Sequence, residues 1–319
     1  MTEQPNTCNS SDKKVSFTAD YHPYLKTFYG LPFTQRISDL TGSRAKWEEM
    51  VSACQKEEGM SDEEANGILQ MATIMEARYK LSGQAIRQTI EKLGIKRGLE
   101  LAAGFSQRGL EFTRDYPGLV YVESDISDGF KQKPELIRRV ADEEGVAMPR
   151  GLSFVMLDAQ KRGDYKSVLN EFFPNGQAMW IYAEGLFAYW DEEKKANLLG
   201  IARDIFTSRP GSKLITPDLS MHNEGRIAMF EHINGYEKLV NFIVKRTKRD
   251  YDSLAFPNEQ ATTAFLDRQR WKYIGLTLGE LGVSLNSPDA LKIPLAVRTP
   301  FVADINRHMK AWVLTPDYT

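Results

Sequence analysis

Residues 98–125 read GLELAAGFSQRGLEFTRDYPGLVYVESD, and the architecture follows from their order. A short apolar run, Leu99–Ala103, ends at Gly104. The next segment carries Arg108, Leu110, Phe112 and Arg114, with apolar positions at helical spacing. Pro117-Gly118 breaks it, and a second apolar run, Leu119–Val122, ends in the acids Glu123 and Asp125. Strand, glycine turn, helix, turn, strand, acid is the order in which a doubly wound sheet builds a nucleoside site. Gly104 has no Cβ to hold a ligand away from the backbone, and Asp125 can accept hydrogen bonds from both hydroxyls of a ribose.

The same alternation continues outward. Strand-like runs at Leu152–Leu157, Ala178–Tyr182 and Lys213–Thr216 are separated by helical segments at Pro134–Glu144, Tyr165–Phe172 and Glu192–Phe206. Short strands with helical crossovers predict a mainly parallel sheet of the α/β class. Tyr273–Leu278 and Ala311–Leu314 can complete it, for a Rossmann-like, seven-stranded, mostly parallel sheet. Upstream, residues 15–93 have a helical pattern, with Ser61-Asp62-Glu63-Glu64 as a helix start, and are expected to form an N-terminal cap of helices. Residues from about 218 to 272 read as a helical insertion after the fifth strand. Met1–Lys14 lacks periodicity and is expected to be a disordered tail, leaving 94–319 as the nucleoside-binding domain.

Composition excludes several classes. The chain has 319 residues, 42% hydrophobic and 26% charged, with a formal net charge of −2, so nothing draws it as a whole to nucleic acid. The basic run at residues 245–249 lacks interleaved aromatics and reads as a solvated helix end. No apolar run approaches a membrane span, and the polar start predicts no signal peptide. Cys8 and Cys54 cannot form a disulfide framework or a four-thiolate metal site, and a cytoplasmic protein is expected. His22, His222, His232 and His308 show no metal-ligand spacing, so no metal is expected. Oligomeric state stays open, since no heptad repeat stands out.

In a sheet of this kind ligands sit beyond the carboxyl ends of the strands, here marked by Gly104, Asp125, Asp158, Glu184 and Asp218. Helix capping explains Asp158 or Asp218 well enough. It accounts poorly for Glu184, which lies in apolar company (WIYAEGLFAYW) and needs a partner to offset desolvation. The turn Ala102-Ala103-Gly104 lacks the G-x-G-x-x-G fingerprint, which argues against NAD. His222, just after the fifth strand, is either a base for the acceptor or a cap residue.

Four blocks resemble the leucine carboxyl methyltransferase family of S-adenosylmethionine-dependent enzymes, a likeness covering the chain from about Val15 onward. LELAAGFSQR (99–108) is similar to the family's L-G-A-G-x-x-x-R, with Ala102 where a glycine is usual. YVESD (121–125), with Lys131 and Lys133 behind it, resembles the family's acid-x-Asp strand end and following lysine. MLDAQ (156–160) and AEGLFAYW (183–190) resemble the third and fourth motifs, the last being A-E-G-x-L-x-Y-L. VSFTAD (15–20) and Arg78-Tyr79 match more loosely. The resemblance implies S-adenosyl-L-methionine as cofactor: Arg78 on its carboxylate, Gly104 at the close turn, Asp125 on the ribose, Asp158 and Ala159 around the adenine, and Glu184 by the ammonium. Glu100, in the first block, is counted among the cofactor positions, and Tyr189, in the fourth, joins His222 as a candidate catalytic residue.

The function expected is methyl transfer to a carboxylate or hydroxyl of a small-molecule acceptor, aligned for in-line attack. A carboxylate is already ionised and needs no base. The alternatives are a protein C-terminal carboxyl methyltransferase, for which Arg226, Arg268 and Arg270 are candidate carboxylate binders, and a non-catalytic nucleoside-binding relative. Replacing Glu184 by Ala is expected to weaken cofactor binding and leave folding intact.

Overall fold

The computed structural model describes residues 20–248 and 250–319. The tail at 1–14, nearly all of the VSFTAD block, Cys8 and Arg249 lie outside the described residues. Seven strands form one sheet: β1 (Arg97–Leu101), β2 (Val120–Asp125), β3 (Leu152–Met156), β4 (Trp180–Ala183), β5 (Lys213–Thr216), β6 (Trp271–Leu276) and β7 (Ala311–Pro316), in the order β3-β2-β1-β4-β5-β7-β6. β1 to β5 pair in parallel, while β7 runs antiparallel to both β5 and β6. All seven expected strands are present with ends shifted by up to three residues. Chain direction reverses its progress across the sheet between β1 and β4, where a doubly wound sheet opens its ligand crevice.

Eleven helices of eight residues or more are found among the described residues. They are α1 (Thr34–Thr41), α2 (Ser43–Glu58), α3 (Met71–Leu93), α4 (Arg108–Asp115), α5 (Lys133–Glu143), α6 (Tyr165–Phe172), α7 (Glu192–Thr207), α8 (Asn223–Phe230), α9 (Tyr236–Thr247), α10 (Glu259–Arg268) and α11 (Leu295–His308). Their starts follow the sequence. Ser61 forms a capping box with Glu64 ahead of a short helix, and the Asp191 side chain accepts the Lys194 amide at 2.9 Å to start α7. The basic end of α9 is ion-paired to the end of α2, Lys245 to Glu58 and Arg246 to Glu57, each at 2.7 Å. No described helix is long and apolar enough to cross a membrane.

Strand alternation divides the core into two layers. Leu99, Leu101, Val122, Ile181, Ala183 and Leu214 face one side, packing with α6, α7 and α10. Tyr121, Trp180, Tyr182 and Ile215 face the other, beneath the 23-residue α3 and its neighbours. The second side also receives Glu100, Glu123 and Glu184, so the site's charges collect under α3.

Candidate active site

The parallel strands bring their carboxyl ends to one edge. Gly104 has φ +44°, and its amide donates to Asp125 Oδ2 at 2.9 Å. A Cβ there would meet nothing within 4 Å, so the turn borders open space. Asp125 Oδ1 accepts the amides of Ile126 (2.8 Å) and Ser127 (2.9 Å). Three of a carboxylate's roughly four lone-pair directions are thus engaged, leaving one on Oδ2 for a ligand hydroxyl rather than the two anticipated. Ala102 holds φ +53°, a left-handed conformation. The backbone shape expected of a glycine is kept although the glycine is not.

Next along this edge lies a network of buried ions. Arg108 is fully buried; its Nη2 donates to Glu184 Oε2 at 2.9 Å and to the Tyr182 hydroxyl at 3.1 Å, and its Nη1 to the Tyr79 carbonyl at 3.1 Å. The guanidinium also lies 3.7 Å from the centre of the Tyr79 ring, a cation–π contact. The Tyr182 hydroxyl donates to Glu184 as well. Burial alone would raise Glu184, but Arg108, then Arg78 and Lys26, hold its carboxyl below the usual range.

Arg78, from α3, donates to Asp218 Oδ1 at 2.8 Å, both side chains almost wholly buried. Asp218 also accepts the amides of Gly185 (2.9 Å), Leu186 (2.7 Å) and Phe187 (2.9 Å). The carboxylate therefore fixes the segment after β4 that presents Glu184. Arg78 Nε is buried without a hydrogen-bond partner among the described residues.

The first described helical turn, His22–Lys26, brings two basic groups on one face at i and i+4. Lys26 Nζ lies 5.0 Å from the Tyr79 ring centre. Burial draws its ammonium down to about 8, against the pull of Glu184. Burial, then Lys26 and Arg78, lower His22 to about 4.

The remaining expected residues divide. Asp158 follows β3, whose Met156 registers with Asp125; its Oδ1 accepts the Gln160 amide at 2.9 Å, and Ala159 is buried beside it, its carbonyl accepting the Tyr165 hydroxyl at 3.0 Å. Tyr189 ends the short turn Phe187–Tyr189, whose first amide is held by Asp218, and so stands at the same edge. Glu100 is not brought to the edge: it is 4% exposed inside the sheet face and accepts the Tyr121 hydroxyl at 2.7 Å. His222 is not brought there either. Its Nδ1 accepts the Gly225 amide at 3.0 Å as the N-cap of α8, and the charged groups acting on it are His308, Glu259, Glu224 and Lys310. Arg226 is engaged by Tyr236 and Asp252, and Arg268 by Glu192, so these two do not converge on the site. Away from the edge, Glu231, His232 and Asp304 gather three potential ligand atoms within 4.8 Å, with His232 Nε2 on Asp304 at 2.8 Å. Spacing in the sequence could not reveal a pair contributed by the turn after α8 and by α11.

Arg108, Lys26 and His22 carry much of the site with Asp218, yet of these four the sequence reading places only Asp218 at the ligand edge. Arg108 was signalled as the closing arginine of the first motif, and the basic pair by its spacing in HPYLK. A second buried pair, Glu123 with Lys133, lies under the glycine turn: Glu123 accepts the Gly109 amide at 3.0 Å, and Lys133 Nζ reaches the Ala103 carbonyl at 3.4 Å. Burial raises Glu123 to about 7 against the opposing charge of Lys133.

No protein-family model matches the chain, and no curated protein matches it in sequence. Solved structures do. A DUF574 family protein from Streptomyces avermitilis is 12% identical, with a TM-score of 0.53, over 94% of this chain and 97% of its own. A Thermobifida fusca protein, provisionally assigned as a methyltransferase, is 14% identical with a TM-score of 0.49, over 86% and 88%. PKMT2 from Rickettsia typhi, solved with AdoHcy, is 16% identical with a TM-score of 0.41, over 75% of this chain and 54% of its own. The strand order, the antiparallel β7 and the full-length likeness to the first of these give the chain a Rossmann-like, mostly parallel α/β fold.

Proposed function

We propose that the protein is a cytoplasmic S-adenosylmethionine-dependent O-methyltransferase of the leucine carboxyl methyltransferase type, acting on a carboxylate or hydroxyl of a small-molecule acceptor. The observation that carries this reading is the contact between the Gly104 amide and Asp125 at adjacent strand ends, beside open space and with one lone pair unused. That is what a ribose requires. The unpartnered Arg78 Nε beside Glu184 fits the other end of the cofactor, whose amino acid carries one charge of each sign. When bound, S-adenosylmethionine supplies a methyl carbon made electrophilic by the sulfonium.

The chain's own residues do the rest. Arg78 holds the carboxylate, Glu184 the ammonium and Asp125 a ribose hydroxyl, with Asp158 and Ala159 at the adenine. Glu184 is aimed by Arg108 and Tyr182, so it is charged and fixed before ligand arrives, which limits reorganisation. The N-terminal helices act as a cap, and with the 218–272 segment they cover the acceptor and exclude water. A carboxylate acceptor needs no base, and the capping role of His222 accords with that. Tyr189, beside Arg78, orients the reacting groups.

Calorimetric titration with S-adenosylhomocysteine, with NAD as control, tests the reading. Saturable micromolar binding of the first alone is expected. Binding of NAD instead, or of neither, overturns it.

A further inference from the structure

Four cations and five carboxylates occupy the site face: Arg78, Arg108, Lys26 and Lys133 with Asp218, Glu184, Glu100, Glu123 and Asp125, the last engaged by three backbone amides. Three of the cations touch a carboxylate, in the pairs Arg78–Asp218, Arg108–Glu184 and Lys133–Glu123. Lys26 touches none. Among the described residues its Nζ has no hydrogen bond or ion pair, and its one close polar contact is the face of Tyr79. Glu100 touches no cation either, but it is sealed inside the sheet face on the Tyr121 hydroxyl and is closed to a ligand. Lys26 itself is half-buried, whereas Arg108 and Lys133 have no exposed surface. It is thus the cation of the cluster that is both reachable and unmatched, and it comes from the N-terminal cap rather than the cofactor-binding strands.

We infer that Lys26 is the acceptor-binding residue, its ammonium taking an anionic oxygen of a carboxylate acceptor and setting the site's preference for an anion over a neutral hydroxyl. The inference rests on the methyltransferase reading and deepens it. S-adenosylmethionine brings a net +1 through its sulfonium, and an acceptor carboxylate is drawn both to that charge and to the unmatched Lys26. Charge in a partly desolvated site must be matched in this way. In the step that follows, a carboxylate oxygen lone pair forms the O–CH3 bond and the electrons of the S–CH3 bond return to sulfur. The ester and the thioether are both neutral, and no proton moves. Lys26 is then again without a counter-ion, which favours release of the ester.

Benzoate, with benzamide as its neutral counterpart, is the probe. Each is titrated into wild-type protein and Lys26→Met, with and without saturating S-adenosylhomocysteine. Benzoate is expected to bind wild type at least tenfold more tightly than benzamide. Lys26→Met should lose that preference while keeping its affinity for S-adenosylhomocysteine within threefold. Equal binding of the two probes, no benzoate binding, or an unchanged preference in Lys26→Met overturns the inference, as does a matching loss of S-adenosylhomocysteine affinity. If S-adenosylhomocysteine fails to bind wild type, the methyltransferase reading falls, and the titrations without it still decide the role of Lys26.

Discussion

Arg78 and Asp218, 140 positions apart, meet at 2.8 Å, and the Asp218 carboxylate also closes three consecutive backbone amides after β4. One side chain thereby ties α3 to the loop that presents Glu184. Asp218→Asn leaves the buried Arg78 charge uncompensated and turns an amide NH2 towards backbone donors. Breaking a buried pair by removing one partner costs about 3–5 kcal/mol. Denaturant unfolding is expected to show a loss in that range; a loss under 1 kcal/mol would mean the loop is held by something else.

Glu184 has a structural duty that its neighbours in sequence do not disclose. It is the carboxylate partner of Arg108, whose side chain is wholly buried. Glu184→Ala should therefore cost about 3 kcal/mol of stability, the low end for a buried pair because Glu184 keeps 23% exposure. Intact folding, expected from the sequence, is replaced by this cost. Glu184→Gln, which keeps the hydrogen-bonding shape, should fold better and still bind S-adenosylhomocysteine at least tenfold more weakly than wild type. Calorimetry on both variants separates the two effects.

The turn at Ala102 makes an independent prediction. A non-glycine residue at φ +53° bears about 1–2 kcal/mol of left-handed strain. Replacement by glycine relieves it and adds about 0.4–1 kcal/mol of unfolded-chain entropy. Ala102→Gly is expected to raise stability by about 0.5–1 kcal/mol with S-adenosylhomocysteine affinity unchanged or improved. Ala102→Val should lower both. A destabilised glycine variant would show that the Ala102 methyl has a packing role that outweighs its strain.

Much of this architecture was legible in the sequence because short apolar runs and glycine or proline breaks report local structure directly. Leu99–Ala103 and Leu119–Val122 locate β1 and β2, and the acid at the end of β2 does bond to the Gly104 turn. What stayed hidden was pairing. Asp218 read as either a strand-end ligand residue or a helix cap, because its real partners, Arg78 and the amides of residues 185–187, lie far away in the chain. Glu100 read as a ligand residue because position in a motif says nothing of which sheet face its side chain takes. His222 offered two roles, and a helix start three residues before Gly225 decided its place.

Acid stability provides a test centred on His22. Burial, then Lys26 and Arg78, hold it at about 4 rather than 6.5. Between those values the unfolded chain binds a proton that the folded chain refuses, so folding stability falls as pH drops through the window. His22→Gln removes that proton uptake. Urea unfolding at pH 7 and pH 4.5 should show a smaller loss for the variant than for wild type. Equal losses would place His22 in a more solvated setting than the site geometry implies.

Lys26 has the opposite consequence at alkaline pH. Its ammonium sits at about 8 rather than 10.5, with burial as the chief cause. Below 8 both states are protonated and the folded chain bears the full penalty of a buried, unpaired charge. From 8 to 10.5 the folded chain gives up its proton first, so stability rises with pH across that window. Lys26→Met keeps the apolar stem and removes the charge. It should be more stable than wild type at pH 7 by about 1–2 kcal/mol, discounted from 1.36 kcal/mol per pH unit because the side chain is half-buried. The advantage should fade by pH 10.5. A residue that weakens the fold while facing the acceptor is what a binding function retains against stability. If Lys26→Met is instead less stable at neutral pH, the lysine is a structural tether of the N-terminal helix, and its ammonium already has its partner.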